Sequence, residues 1–381
     1  MTVPQFKQLR RAYGFDEVAI VPGAHTINPE LVELGLDIGP YHFAIPFLAS
    51  AMDAVVDPNF AIEMDRAGGL AVLNLEGVWT RYDDAAPMLQ EVAAASRDEA
   101  TAILQRAYQA PVRDDLIARR IKEIKAAGAV AAVSVTPVHT KRLAPLIQEA
   151  GADLLVVQST VTTARHESNS VEGLRFDKLF KNIHIPVVVG NTVGFNATLE
   201  IMRTGVAAVL VGVGPGAACT SREVLGIGVP QVTATIDCAA ARDQYLRETG
   251  RYVPIITDGG IRTGGDVCKC IAAGADAVMM GSPFAATTEA PGRGYHWGMA
   301  TPHANLPRGT RVTVGVNTTI NKLLYGPTSR TDGTENFVGA LRTAMGMCGA
   351  HNAREFQQAE MVIAPSIKTE GKIYQFAQAG S

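Results

Sequence analysis

Residues 206–230 read VAAVLVGVGPGAACTSREVLGIGVP, and the fold follows from how that run changes character. AAVLVGV, residues 207–213, is nearly continuous apolar sequence rich in β-branched side chains, which suits a strand covered on both faces, as in a parallel sheet. Gly212, Gly214 and Gly216 then end the strand. They permit positive φ and close backbone approach, so the chain can fold over the strand end and turn its amides and carbonyls toward a ligand or ion. Cys219 emerges there, followed by Thr220 and Ser221, which are placed to cap a helix through Arg222-Glu223-Val224-Leu225. The amide dipoles of such a helix start would favour a thiolate. A small buried cysteine beside a turn is the plainer reading of Cys219, but the flanking glycines favour a nucleophile.

Outward from this stretch the same unit recurs: an alanine-rich helical segment, a Gly or Pro, a short apolar strand, then polar residues or glycine. Eight strands are expected, at 45–50, 69–74, 130–135, 153–158, 186–190, 207–212, 253–258 and 276–281. Gly151-Ala152-Asp153, Gly205-Val206-Ala207 and Gly274-Ala275-Asp276 each close a helix on a glycine and open a strand. A doubly wound sheet shares this local pattern. Eight units at fairly even spacing in one apolar composition favour an α/β chain folded as a single (β/α)8 TIM barrel, with residues 1–381 as one domain. Two intervals break the rhythm. Glu76 to Gly128, after strand two, reads as an insertion of two or three helices with alternating charge. Thr287 to Gly333, after strand eight, is a long flap-like loop that reads as a lid or a subunit contact, before ENFVGALRTAMGMCG resumes as helix.

Composition narrows the function. At 47% hydrophobic and 19% charged over 381 residues, the chain is expected to be an ordinary globular protein with a large core. A net charge of -3 gives no global footprint for nucleic acid or anionic membrane, so an anion must be bound locally. The five cysteines are few and odd in number, which fits a reducing cytoplasm, and Cys268-Lys269-Cys270 lacks the spacing of a zinc site. MTVPQFKQLRRAYG is followed by no apolar h-region, and no window reaches the length of a membrane span, so neither an export signal nor an anchor is expected.

Barrel active sites are built at the C-terminal ends of the strands. Those ends carry Ser50-Ala51-Met52-Asp53, Asn74, Gln158-Ser159-Thr160, Gly190-Asn191-Thr192, Cys219, Asp258-Gly259-Gly260-Ile261-Arg262 and Gly281-Ser282. Loops seven and eight are the usual phosphate seat of such barrels, where glycine amides and a helix start hold the dianion. Asp258 is unsuited to phosphate and suits the two hydroxyls of a ribose, since a carboxylate can accept from both. Asp-Gly-Gly as a mere capped turn is the alternative, and the Gly-Ser partner on the next strand favours the nucleotide. No Walker sequence, HExxH motif or paired metal-ligand histidine occurs among the eight histidines.

These motifs resemble a known family. Phe15-Asp16-Glu17-Val18 with Val21-Pro22, Ser50-Ala51-Met52-Asp53, Gly190-Asn191 and Gly214-x-Gly216-x-x-Cys219-Thr220 match in order. So do Asp258-Gly259-Gly260-Ile261-Arg262, Gly281-Ser282, Thr288-Glu289-Ala290-Pro291-Gly292, Gly298-Met299 and Met345-Gly346-x-Cys348-Gly349. Together they resemble the IMP dehydrogenase/GMP reductase family nearly end to end, and its short IMP dehydrogenase-like branch in particular. The resemblance implies a barrel that binds a purine mononucleotide, GMP or IMP, with a catalytic cysteine attacking purine C2 while a nicotinamide cofactor exchanges hydride there. Carried over, Cys219 is the nucleophile, and Thr220, Ser221 and Glu289 move protons. Ser50, Met52, Asn191, Asp258, Gly259, Gly260, Gly281, Ser282, Gly298 and Met299 would bind the nucleotide. Gln158, Ser159, Thr160 and Gly212 would lie along the cofactor. The resemblance leaves open a monovalent cation, K+, at Gly214, Gly216 and Cys219, and implies a cytoplasmic homotetramer.

Departures from the family pattern choose between its branches. IMP dehydrogenases usually carry CBS modules after strand two, where this chain has only the helical stretch. A dehydrogenase resembles a machine whose flap bears adjacent Arg and Tyr, the arginine activating water. Here Arg-Tyr occurs only at Arg81-Tyr82 and Arg251-Tyr252, while Arg308, Arg311 and Arg330 lack a tyrosine neighbour. GMP reductases typically read Cys-Thr-Thr, and Cys219-Thr220-Ser221 keeps both hydroxyls. Gln158 stands where both branches usually place Asp. The expectation is therefore a GMP reductase of purine salvage using NADPH. The alternatives are an IMP dehydrogenase using NAD and a non-catalytic nucleotide-binding paralogue.

Overall fold

The computed structural model describes residues 8–167, 173–298 and 311–365. Eight parallel strands close into a barrel: β1 (Phe47–Ala49), β2 (Leu70–Asn74), β3 (Ala132–Val135), β4 (Leu154–Gln158), β5 (Val187–Thr192), β6 (Ala208–Val211), β7 (Ile255–Asp258) and β8 (Ala277–Met280). Val278 opposite Phe47 joins β8 to β1 and completes the ring, so the chain is a (β/α)8 barrel. Each strand falls within or beside its expected run. β5 extends two residues further than expected, to Thr192, with a register irregularity against β6 between Val189 and Thr192.

The near-continuous apolar runs follow from burial on both faces. In β4, Leu154 and Val156 point into the barrel with Leu48, Val72, Leu210, Ile256 and Met279, while Leu155 and Val157 face the surrounding helices. The interior is therefore packed rather than open. Leu36, Ile38 and Phe43, from the antiparallel pair Leu36–Ile38 and Tyr41–Phe43, belong to the same inner cluster.

The glycine-led phrases at 151–153, 205–207 and 274–276 close helices, and the two that read Gly-Ala-Asp have a second use. Gly151, Gly205 and Gly274 take left-handed φ of 88, 104 and 116° where their helices end. The aspartates then tie neighbouring strands at their starts. Asp153 Oδ2 accepts from the Ala131 amide at 2.8 Å, and Asp276 Oδ2 accepts from the Ile255 amide at 2.8 Å. Arg242, 1% exposed, pairs with Asp276 at 3.0 Å, so its buried charge is matched. These groups lie at the strand starts, away from the strand ends where the chemistry is expected.

Three helices fill the interval after β2: Ala86–Ala94, Arg97–Ala107 and Asp114–Ala126. Ser96 and Glu99 form a reciprocal capping box at the second of them. The described parts of the loop after β8 hold more regular structure than the irregular sequence suggests. Tyr295–His296 pairs antiparallel with Val312–Thr313, and a helix follows at Ile320–Tyr325. Backbone bonds to the barrel explain the order: the Gly292 amide donates to Ala54 O at 2.9 Å, and the Asn317 amide to Ala286 O at 3.0 Å. The helix expected next spans Phe337–Met347. At the chain ends, Val18–Ile20 pairs antiparallel with Met361–Ile363. Among the described residues no helix is long and apolar enough to cross a membrane.

Candidate active site

The strand ends open into a cavity of about 1340 Å³. Its wall includes Ser50 and Met52 after β1, Gln158, Ser159 and Thr160 after β4, and Asn191 in β5. Gly212, Gly214, Gly216, Cys219, Thr220 and Ser221 follow β6 in the same wall, with Asp258, Gly259 and Gly260 from β7 and Gly281, Ser282 and Gly298 from β8 onward. Residues spread over some 250 positions of sequence are thus one surface. Met299 lies outside the described residues.

Asp258 is the electrostatic centre. Its Oδ2 accepts from Asn191 Nδ2 at 2.8 Å and Gln158 Nε2 at 3.1 Å, and its Oδ1 faces Ser50 Oγ at 3.5 Å. Burial at the barrel mouth pushes the carboxyl up to about 6, against those three hydrogen bonds, which pull it down. Gln158 Nε2 also donates to Asn191 Oδ1 at 2.9 Å. Gln158, expected along the cofactor, is therefore joined to the carboxylate expected to hold ribose. An Asp at 158 would set a second negative charge there; the amide supplies a donor instead.

Close backbone approach shapes the floor. A Cβ on Gly212 would lie 2.1 Å from the Asp258 carbonyl oxygen, so only glycine lets the ends of β6 and β7 meet. Gln231, buried in helix Gln231–Thr249, fastens the junction: its Nε2 donates to Val211 O at 2.7 Å and Asp258 O at 3.2 Å. A Cβ on Gly281 would lie 2.7 Å from Met52 Sδ, which brings the β1 and β8 loops into contact. The Gly259 amide donates to Met279 O at 3.3 Å, so that amide belongs to the barrel ladder.

Cys219 is half-buried, with its amide donating to Gly216 O at 3.0 Å and its Sγ 3.4 Å from Ser221 Oγ. The expected helix exists but spans only Ser221–Leu225, and Thr220 at its N-cap makes no side-chain capping bond. The capping expectation is corrected: the Ser221 hydroxyl is turned to the thiol. Arg222 packs over this loop. Its Cγ and Nε lie 2.7 and 2.8 Å from where a Gly214 Cβ would stand, and its Nη2 donates to Val229 O at 3.1 Å. A positive charge thus already adjoins the segment where a cation was expected.

Glu289 departs from expectation. It is absent from the cavity wall, and its carboxylate accepts from the Ile320 amide at 3.1 and 3.2 Å and from Thr288 Oγ1 at 3.1 Å. The amide starts helix Ile320–Tyr325, where an acidic group is favoured by the unpaired N–H groups of the first turn.

His296 is among the wall residues that the motifs did not point to. His296, 1% exposed, holds its Nε2 2.8 Å from Ser282 Oγ, while its Nδ1 has no partner. Burial pushes its pKa down to about 4, so the ring is neutral near pH 7. Its proximity to Gly298 was the only available signal.

The comparisons agree with this geometry. A family model described as IMP dehydrogenase / GMP reductase domain matches residues 12–373. An uncharacterized oxidoreductase of Mycobacterium tuberculosis is 41% identical over 363 residues, which is 93% of this chain and 97% of the relative. An inosine-5'-monophosphate dehydrogenase of Methanocaldococcus jannaschii is 27% identical over 493 residues, covering 97% of this chain and 96% of that protein. The crystal structure of an IMP dehydrogenase/GMP reductase-like protein from Corynebacterium glutamicum superposes with a TM-score of 0.89 at 36% identity, over 95% of this chain and 97% of the other.

Proposed function

The chain belongs to the IMP dehydrogenase / GMP reductase family of oxidoreductases, and from that premise we propose that it is a GMP reductase, converting GMP to IMP and ammonia. GMP would lie with its ribose hydroxyls on Asp258 and its phosphate toward Gly260, Gly281 and Ser282. Cys219 Sγ, as thiolate, forms a bond to purine C2, and the C2–N bond breaks as ammonia leaves with one added proton. The Ser221 hydroxyl, 3.4 Å from Sγ, stands where such a proton would pass, with Thr220 beside it. The same cavity is lined by Ser159, Thr160 and Val138, where a nicotinamide dinucleotide would lie. That group, when bound as NADPH, supplies the hydride to C2. Cys219 then departs with the electron pair of the C2–S bond, so one proton and one hydride balance the replacement of the amine by hydrogen.

The direction of reaction rests on one observation: among the described residues, the arginines weighed for activating water are held by backbone carbonyls, Arg81 at the cavity wall included, while Arg308 lies outside the described residues. Arg311 donates to the Val92 and Ala95 carbonyls, and Arg330 Nη2 to Asn317 O at 2.9 Å. Of the Arg81-Tyr82 pair, Arg81 donates to Glu76 O at 3.0 Å and Tyr108 O at 3.0 Å, and Tyr82 to Ala107 O at 2.8 Å. The reductive path needs no attacking water. The remaining parts are one catalytic domain over residues 1–381 without CBS modules, a cytoplasmic setting and a homotetramer.

The test is to follow absorbance of the reduced nicotinamide with GMP and NADPH, and separately with IMP and NAD. Consumption of NADPH with release of ammonia supports the proposal. Brisk formation of XMP from IMP would overturn it in favour of a dehydrogenase, and failure of both reactions with mononucleotide still bound would favour a non-catalytic paralogue.

A further inference from the structure

Trp297 stands between His296 and Gly298 at the base of the flap and is 1% exposed. It is buried in a cluster that the helical insertion largely supplies, with Leu89, Val92 and Leu104. Its Nε1–H donates to the Tyr108 hydroxyl at 2.9 Å, and that hydroxyl donates to Asp53 Oδ2 at 2.6 Å. Asp53, fully buried, directly follows Met52 in the β1 loop. Its carboxylate also accepts from Asn74 Nδ2 at 3.1 Å and the Val78 amide at 2.6 Å. Tyr108 ends helix Arg97–Ala107, and the Arg81 guanidinium lies 5.6 Å from the centre of its ring.

We propose that Tyr108 is a positioning residue for the nucleotide pocket: its hydroxyl clamps the flap base at 296–298 to the β1 loop at 50–53. The helical insertion is then part of the active site's frame rather than a spacer between β2 and β3. The two clamped segments both meet the Gly281-Ser282 corner, through Met52 and His296. Asp53 is held by donors from several elements, so its carboxylate has one arrangement to offer. Removing the tyrosine hydroxyl leaves the buried Trp297 N–H without its acceptor, and the flap base gains by moving that group toward water. The second strand of the flap hairpin has its own anchor on the insertion, Arg311 donating to the Val92 and Ala95 carbonyls, the latter at 2.9 Å. Loss of the clamp should therefore loosen residues 292–298 without releasing the whole hairpin.

The inference rests on the proposed function only for the identity of the ligand. Tyr108→Phe, Trp297→Phe and the double variant are compared with the wild type by hydrogen exchange over residues 292–298, by GMP and IMP dissociation constants, and by thermal unfolding. Tyr82→Phe is the control, since it removes a hydroxyl bond to Ala107 O in the same corner but touches neither segment. Tyr108→Phe is expected to speed exchange over 292–298 and to raise both dissociation constants, each about tenfold, with little change in unfolding midpoint. Adding Trp297→Phe should change the affinity little further, because both substitutions break one shared bond. Tyr82→Phe should leave affinity unmoved. Unchanged exchange in Tyr108→Phe, or unchanged affinity where the wild type binds mononucleotide, overturns the clamp. A wild type that binds neither GMP nor IMP sinks the proposed function alone, and the exchange measurement still decides the clamp. If Trp297→Phe folds poorly, Tyr108→Phe decides by itself.

Discussion

Asp258→Asn should make the protein more stable and a worse binder of nucleotide. The amide oxygen can replace Oδ2, where Asn191 and Gln158 donate at 2.8 and 3.1 Å, and the amide nitrogen can face Ser50 Oγ, which lies 3.5 Å from Oδ1. The hydrogen bonds are kept and the charge is lost. Burial raises the wild-type carboxyl from 3.8 to about 6, so its contribution to stability is fully present below pH 3.8 and is lost as pH rises through about 6. Above that, holding the carboxylate ionised costs about 3 kcal/mol. The Asn variant should accordingly unfold several degrees higher than the wild type at about pH 7.5, with the difference vanishing toward about pH 4. Binding should move the other way. An ionised carboxylate accepting from two ribose hydroxyls makes charge-assisted bonds of about 1.5–3 kcal/mol each, and weakening both should raise the nucleotide dissociation constant on the order of 10²-fold. Between about pH 7 and about pH 5 the ionised fraction falls from about nine-tenths to about one-tenth, so wild-type kcat/KM should drop about tenfold along an acid limb that the variant lacks. Titration calorimetry with GMP and IMP, melting curves across pH, and a pH–rate profile measure all three. An Asn variant that binds mononucleotide within a few-fold of the wild type, or a wild-type profile flat over that range, refutes the assignment of Asp258 to the ribose.

Cys219 should be the most readily alkylated cysteine, because Cys238 and Cys268 are buried with thiols pushed up to about 12, and burial raises the Cys270 thiol strongly and also raises Cys348. GMP or IMP should protect it, and peptide mapping that shows an unchanged labelling rate with nucleotide would remove it from the site. Gln158→Glu should move the acid limb of kcat/KM upward by about one pH unit or more, since a carboxylate would replace the amide that donates to Asp258 at 3.1 Å. An unmoved limb would show that Gln158 does not tune Asp258. If Glu289 leaves the Ile320 amide to relay a proton when nucleotide binds, Glu289→Gln should lower kcat for GMP reduction by about 10²–10⁴ with nucleotide affinity nearly intact. A loss of only a few-fold would confine Glu289 to holding the helix start.

The barrel was legible because its signals are local. A run such as Leu154 to Gln158 between a glycine-capped helix and polar residues is specified within a few positions, and the closed ring adds no new sequence requirement at each strand. The strand-end residues were legible for the same reason. Once eight strands are placed, Ser50, Asn191, Cys219 and Asp258 have nowhere to go but the barrel mouth. Tyr108 and Trp297 are the opposite case, since their bond joins residues 189 positions apart and neither sits at a strand end. No periodicity connects a helix C-cap in the insertion to a buried indole in an irregular loop.

Glu289 and Gln158 show why residue type and position along the chain are not enough for a role. The Thr288-Glu289 phrase places a carboxylate just beyond β8, but its direction depends on which unpaired donors are near, and the first-turn amide of Ile320, 31 residues later, is one. Such a donor outside the cavity competes with any proton path inside it. Proton transfer by Glu289 would require the carboxylate to leave that amide when nucleotide binds, so the rate of GMP reduction would carry the cost of breaking a charge-assisted bond unless the ligand supplies a replacement. At Gln158 the competition has the other outcome: the side chain lies on the cavity wall and its amide is held by Asp258 and Asn191, both within the site. A ligand that takes up the Asp258 carboxylate must therefore rearrange or share the Gln158 bond, so in the proposed reading nucleotide and cofactor binding would be interdependent through this one amide.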